Sequence, residues 1–182
     1  MVAATQTTFL QTMYKYISYI WLTVILLFVQ IFLLDNISIA MWLRPMIFPL
    51  IVLLLPMEWR TIWVMLMALT VGVVMDSSLG GAGIYTATLL PMSVLRSTIL
   101  YTTTHRFVEH SDQTALLPRL EFRQLMFYIA VALLVHHAMF FFMETLSLSR
   151  LMQLLLRIFA STLLSTIIAW PITRMFISKI SA

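Results

Sequence analysis

The sequence predicts an all-α integral membrane protein, a bundle of six transmembrane helices. Hydrophobic residues make up 62% of the 182 residues and charged residues only 10%, whereas a soluble domain is about one quarter charged. Such a chain lacks the polar groups needed to cover its surface in water. The apolar residues fall in six runs, which we interpret as the membrane spans of one domain, residues 1–182.

The predicted spans cover about 16–34, 42–57, 59–76, 84–104, 124–148 and 151–177. The first run, Tyr16 to Leu34, has nineteen residues without a charge, which at about 1.5 Å per residue nearly cover the ~30 Å hydrocarbon core. A signal peptide is the competing interpretation, but Leu33-Leu34-Asp35 is not a small-residue cleavage site. We expect a retained helix.

The second run is the least regular of the six. Leu43-Arg44-Pro45 interrupts it, and the clean part, Met46 to Met57, also contains Pro49 and Pro56. Because proline removes a backbone donor and kinks a helix, this run is either a kinked span or a re-entrant segment.

The distribution of Lys and Arg predicts that both termini lie in the cytoplasm. Six spans place the polar stretch 104–123 on the same side as the termini. That side holds seven cations against two on the other, Arg44 and Arg150, and cytoplasmic loops are enriched in Lys and Arg. The seven are Lys15, Arg60, Arg106, Arg119, Arg123, Arg174 and Lys179.

The sequence lacks the residues that several classes of chemistry require. The chain has no cysteine, which excludes disulfides and thiolate metal sites. It has no nucleophile elbow or phosphate-binding loop, and no basic patch interleaved with aromatics, so we expect no catalytic site, no cofactor and no nucleic acid. Adjacent residues on a helix point about 100° apart, so His136 and His137 are not expected to share a metal ion.

Ionisable groups within a span need a partner or a route to the interface. Arg96 lies about twelve residues into the fourth span; it either snorkels to the cytoplasmic interface or faces the bundle with a partner. Glu144 and Arg157 lie near the outer ends of two spans joined by the short link Ser147–Arg150. We expect an ion pair between them, with a role in holding the bundle favoured over a transport relay.

The stretch VGVVMDSSLGGAG, Val71 to Gly83, places one carboxylate at the end of an apolar run and three glycines within the next seven residues. Gly72 lies one helical turn before Asp76, and a glycine there lets another helix approach closely. The turn glycines could fold back and donate their N–H groups to the carboxylate. The alternative is an interfacial acid followed by an ordinary flexible loop.

Two stretches resemble the MreD family of bacterial rod-shape-determining membrane proteins. They are GVVMDSSLGGAGIYTATLLPMSVLR, Gly72 to Arg96, and LRPMIFPLIVLLLP, Leu43 to Pro56. In that family a glycine precedes an aspartate by four residues at a span end, and a short glycine-containing turn leads into the next span. Arg96, which follows this motif, is similar to the Bacteroidetes-type versions.

The resemblance implies a non-enzymatic scaffold of the inner membrane. Such a scaffold binds MreC and acts with MreB, RodA and a class B penicillin-binding protein in cell-wall elongation. It also implies a fold similar to the substrate-binding components of energy-coupling-factor transporters, so the alternative is a membrane component that binds a vitamin or other small molecule. The polar patch expected to bind the partner or hold the fold comprises Arg44, Pro45, Gly72, Asp76, Gly80, Gly81, Gly83, Arg96, Glu144 and Arg157.

Overall fold

The computed structural model describes residues 17–36, 43–57, 59–105, 120–145 and 151–180, and the regular structure within these ranges is helical. Most of the polar stretch 104–123, the link Ser147–Arg150 and both chain ends lie outside the described residues. The described helices are α1 (Ile17–Leu34), α2 (Pro49–Leu53), α3 (Thr61–Leu79), α4 (Ile84–Thr104), α5 (Phe122–Thr145) and α6 (Leu151–Ile180).

Four of the described helices, α1, α3, α5 and α6, are long and apolar enough to cross a membrane. Their outward faces carry large apolar side chains, such as Trp21, Trp63 and Phe159, each about 60% exposed. Apolar groups on the outside of a helical bundle are suited to lipid rather than water. The chain therefore has the character of a membrane protein.

The long helices pack in chain order, with α3 against α4, α4 against α5 and α5 against α6. Consecutive members run in opposite directions, so the end of α3 and the end of α5 lie at one end of the bundle, which we call the Asp76 end. The starts of α3 and α5 lie at the other, which we call the Arg60 end. Phe122 of α5 contacts Trp170 of α6 at this second end, with ring centroids 6.5 Å apart.

The second apolar run forms no long helix. Residues 43–47 have no regular secondary structure, and α2 has only five residues, which contact α3, α4 and α5. Arg44 pairs with Glu144 at the Asp76 end, whereas α3 begins at Thr61 at the Arg60 end. The chain therefore passes from one end of the bundle to the other through residues 43–57, which we call the buried segment.

The backbone at the start of the buried segment is satisfied by side chains of α6 and α1. The N–H groups of Arg44 and Met46 donate to the Ser161 and Ser165 hydroxyls, at 3.3 and 2.9 Å. The two N–H groups are two residues apart in an extended chain, a distance of about 6.6 Å. The two serines are four residues apart on α6, a rise of ~6 Å, so the spacings match. Gln30 of α1 accepts from the Ile47 N–H at 2.8 Å and donates to the Pro45 carbonyl at 3.2 Å.

Arg96 of α4 satisfies the far end of the buried segment. Its guanidinium donates to three backbone carbonyls in and just after the short helix, those of Val52, Leu55 and Pro56, at 2.9 to 3.1 Å. The side chain is 4% exposed. Of the two alternatives that the sequence left open, Arg96 therefore faces the bundle and does not snorkel to the interface.

The helix α3 extends beyond the end of the predicted third span. The third apolar run stops at Asp76, but α3 continues to Leu79. The reason is that the Asp76 carbonyl still accepts the N–H of Gly80 and of Gly81, so the last turn closes after the acid. Asp76 consequently lies inside the final turn, and its side chain is free to bend towards α4.

Replacing Arg96 with Leu should destabilise the protein strongly, because three buried carbonyls would lose their donor. Each unsatisfied buried group costs about 1–3 kcal/mol, so we expect a loss of about 3 kcal/mol or more in the free energy of unfolding. Thermal unfolding in detergent, followed by circular dichroism, measures this loss. Arg174→Leu, at an exposed arginine of α6, is the matched control; equal melting temperatures for the two variants would contradict the assignment.

Candidate functional site

Asp76 is the centre of the turn between α3 and α4. Its Oδ1 accepts the N–H groups of Gly83 and Tyr85, at 3.0 and 3.1 Å. Its Oδ2 accepts the N–H and the hydroxyl of Thr86, at 2.9 and 2.6 Å. The carboxylate accepts backbone hydrogen bonds, as expected, but only Gly83 of the turn glycines donates one; the others come from the first turn of α4.

These bonds make Asp76 the N-terminal cap of the following helix. The N-cap residue of α4 is Gly83, which has no side chain to bond the first free N–H groups, as Ser, Thr or Asp would. Asp76 takes that role from the preceding helix, while the Gly81 carbonyl accepts the N–H of Ile84. A carboxylate at this place is also favoured by the dipole of α4.

Glycine is required in this turn for two different reasons. Gly80 and Gly83 have φ of 66° and 91°, in the left-handed region that side chains disfavour. At Gly72 the reason is space, since a Cβ would lie 2.6 Å from the Cα of Thr86. The expected close approach of a neighbouring helix at Gly72 is therefore present, and the neighbour is α4. At Gly81 a Cβ would lie 2.6 Å from Asp76 Oδ1.

A network of four charged side chains lies at the same end of the bundle. Glu144 pairs with Arg44 at 3.1 Å and with Arg157 at 3.4 Å, and Arg44 lies 3.9 Å from Asp35. The Arg157 guanidinium also lies 4.7 Å from the centre of the Phe141 ring, a cation–π distance. The expected Glu144–Arg157 ion pair is present, and Glu144 is shared between two arginines.

Asp35 closes the network at the end of α1. Burial raises the pKa of its carboxyl above the ordinary value, and the neighbouring Arg44 partly offsets this rise. With two acids and two bases, the network carries no net charge when all four are ionised. Among the described residues Asp76 forms no ion pair. The α3–α4 turn and the charged network are therefore connected by the packing of the helices and not by an ion pair.

Aromatic and imidazole rings fill the bundle beneath these charges. Phe48 of the buried segment contacts Tyr85 and His136, with ring centroids 5.7 and 5.2 Å apart. His137 Nδ1 donates to the Leu133 carbonyl at 2.7 Å, and its Nε2 lies 3.3 Å from the Ser165 hydroxyl. His137 thereby continues the hydrogen-bond chain that starts at the Met46 N–H.

The two histidines do not converge. Their ring centroids are 6.1 Å apart and the planes are nearly perpendicular, and neither ring nitrogen of His136 has a hydrogen-bond partner. The described residues contain no group of three or more His, Asp or Glu side chains arranged to hold a metal ion.

The structure divides the ten predicted residues between two places. Nine lie at the Asp76 end, where Pro45 contributes its carbonyl to Gln30 and removes an N–H that would need an acceptor. Arg96 lies deeper, towards the Arg60 end. Sequence reasoning missed Gln30, Ser161 and Ser165, which hold the buried segment; the only signal was that each is a polar residue within an apolar run.

Comparison with known proteins finds no matching family model, no matching curated protein and no matching solved structure.

Replacing Asp76 should loosen the α3–α4 turn in proportion to the acceptors lost. Asp76→Ala removes all four hydrogen bonds. A buried bond to a charged group contributes about 1.5–3 kcal/mol net, but this turn is partly exposed and water replaces part of the loss, so we expect a loss on the order of 3 kcal/mol. Asp76→Asn keeps one acceptor oxygen and should lose about half as much. Thermal unfolding measures both, with Ser78→Ala on the same turn as control; an Ala variant as stable as this control would show that the bonds contribute nothing.

Proposed function

We propose that this protein is an inner-membrane scaffold of the MreD type, which binds MreC and thereby links it to the peptidoglycan synthesis machinery. The machinery includes MreB, RodA and a class B penicillin-binding protein. The observation that carries the proposal is the geometry of the Gly72–Arg96 stretch, one of the two that carry the resemblance. Its glycine–aspartate pair is used for helix contact and turn fixation, so the motif is a structural unit of this fold.

The proposal includes six crossings of the membrane. α1, α3, α5 and α6 provide four. The fifth is α4, whose 21 residues span about 31 Å at ~1.5 Å per residue; its hydroxyls bond carbonyls of their own helix, as at Thr88 and Thr104. The sixth is the buried segment, whose irregular backbone is tolerable at membrane depth because protein surrounds it.

In this proposal the Asp76 end faces the periplasm and both termini face the cytoplasm. The fixed α3–α4 turn and the charged network would present one preformed surface there. A rigid surface loses little conformational entropy on binding, which suits a scaffold that holds a partner. The scaffold is proposed to be non-enzymatic, because the polar groups at this end are engaged in hydrogen bonds and ion pairs that hold helices together.

Recovery of MreC with the purified protein tests the function. The wild-type protein, extracted in mild detergent, should retain MreC; Asp76→Ala should insert at normal levels but recover several-fold less, and Ser78→Ala should recover the normal amount. Mass spectrometry of the same samples identifies all co-purifying proteins and small molecules.

Two results would count against the scaffold. Normal MreC recovery by Asp76→Ala would separate the turn from partner binding. Recovery of ATP-binding-cassette subunits or a stoichiometric vitamin in place of MreC would favour the alternative, a transporter's substrate-binding component.

Cysteine labelling tests the orientation, since the chain has no cysteine to give background. A membrane-impermeant maleimide applied to spheroplasts should label Ser78→Cys in the exposed last turn of α3. It should leave Ser111→Cys, in the polar stretch 104–123, unlabelled until the membrane is permeabilised. Labelling of Ser111→Cys in sealed spheroplasts would reverse the proposed orientation.

A further inference from the structure

A groove runs along the outer surface of α3 from the Arg60 end towards the middle of the bundle. It has a volume of about 640 Å³ and is lined by Trp59, Arg60, Trp63, Leu66, Met67 and Thr70. This volume lies in the range of small-molecule sites, about 300–1,000 Å³. The groove opens sideways, on the same face as exposed Ile62 and Leu69, and so towards the surroundings of the bundle.

The groove has the length of one membrane leaflet. From Arg60 to Thr70 is ten residues, or about 15 Å of helix at ~1.5 Å per residue. That is half of the ~30 Å hydrocarbon core. Below Arg60 the wall consists of indole, aliphatic and thioether side chains as far as Thr70, whose hydroxyl is bonded to the Leu66 carbonyl. An acyl chain lying along α3 would therefore contact mainly apolar groups through the leaflet.

The mouth of the groove has the chemistry of a phospholipid headgroup site. Arg60 is exposed, and it forms no ion pair with any residue in the described ranges. The arginine guanidinium binds phosphate oxygens with paired hydrogen bonds, and Trp side chains such as Trp59 and Trp63 favour the headgroup level of a membrane. Basic sites beside transmembrane helices on the cytoplasmic side recognise anionic headgroups.

We propose that this groove binds one anionic phospholipid, with the headgroup phosphate on Arg60 and an acyl chain along Trp63, Leu66 and Thr70. Charge complementarity favours an anionic lipid, because the positively charged group of a zwitterionic headgroup would repel the arginine. The placement of the groove in the cytoplasmic leaflet rests on the orientation proposed above. Binding itself needs only that the chain resides in a bilayer, so its test does not depend on MreC.

A second groove provides a comparison. It lies between α1 and α6, has a volume of about 440 Å³, and is lined by residues that include Trp21, Ile25 and Phe176. No charged residue lines it among the described residues. Lipid contact at Trp21 should therefore be insensitive to headgroup charge, whereas contact at Trp63 should depend on it.

Quenching of tryptophan fluorescence by brominated lipid tests the proposal. The purified protein is placed in nanodiscs in which either phosphatidylglycerol or phosphatidylcholine carries the brominated chains, in the same mixture. The contribution of Trp63 is taken from the difference between the wild type and Trp63→Phe, and that of Trp21 from Trp21→Phe. We expect brominated phosphatidylglycerol to occupy the Trp63 site about fivefold in preference, with no preference at Trp21.

Substitution of Arg60 decides whether this preference comes from the groove. Arg60→Gln should abolish it, and Arg60→Lys should retain most of it. Arg174→Gln, which removes an exposed arginine of α6 near the same end of the bundle, should leave it unchanged.

Equal loss in both glutamine variants would show diffuse surface charge, and equal quenching by the two lipids would show ordinary lipid contact. Absence of quenching by either lipid at Trp63 would show that a protein covers the groove. Each of these three results would overturn the proposal.

Discussion

The buried segment is the constraint on which the rest of the bundle depends. Backbone N–H and C=O groups inside a membrane protein must find partners within the protein, and residues 43–47 have no helix of their own to provide them. For these residues α6 supplies Ser161 and Ser165 and α1 supplies Gln30. Arg96 of α4 donates to backbone carbonyls in the second half of the segment. Because each partner must sit at hydrogen-bond distance, the segment fixes how deep each of these helices lies relative to the others.

The charged network extends this constraint to the surface. Arg44, at the start of the buried segment, is held by Glu144 of α5 and Asp35 at the end of α1, and Glu144 also holds Arg157 of α6. Asp76 fixes α3 to α4 through hydrogen bonds alone. Most of the polar capacity at this end is therefore used to join helices. A partner that docks here would meet a preformed shape with little net charge, so that shape and apolar contact would contribute more to recognition than long-range attraction.

The helical class, the role of Asp76 and the Glu144–Arg157 pair could be predicted because their causes are local. Gly72 and Asp76 are one turn apart, and the glycines follow directly; the short link between α5 and α6 brings Glu144 near Arg157. The path of the buried segment could not be predicted in the same way. Its partners are as far as 119 residues away, and a serine or glutamine in an apolar helix has the same appearance whether it bonds its own backbone or another segment. Arg96 was ambiguous for the same reason, since its three acceptors are carbonyls of a segment whose shape was itself undetermined.

The arginines at the two ends of the bundle have different surroundings, and this difference bears on the orientation of the protein in the membrane. At the Asp76 end the described arginines Arg44 and Arg157 both pair with Glu144. At the Arg60 end Arg60 is exposed and has no ion pair among the described residues. In the proposed orientation, Arg44 is an exception to the rule that cations stay on the cytoplasmic side. The exception has a structural reason: a paired arginine, half-buried between α1 and α5, is a component of the fold rather than a free charge at the membrane surface. In the same proposed orientation, Arg60 lies on the side where anionic lipid would attract it.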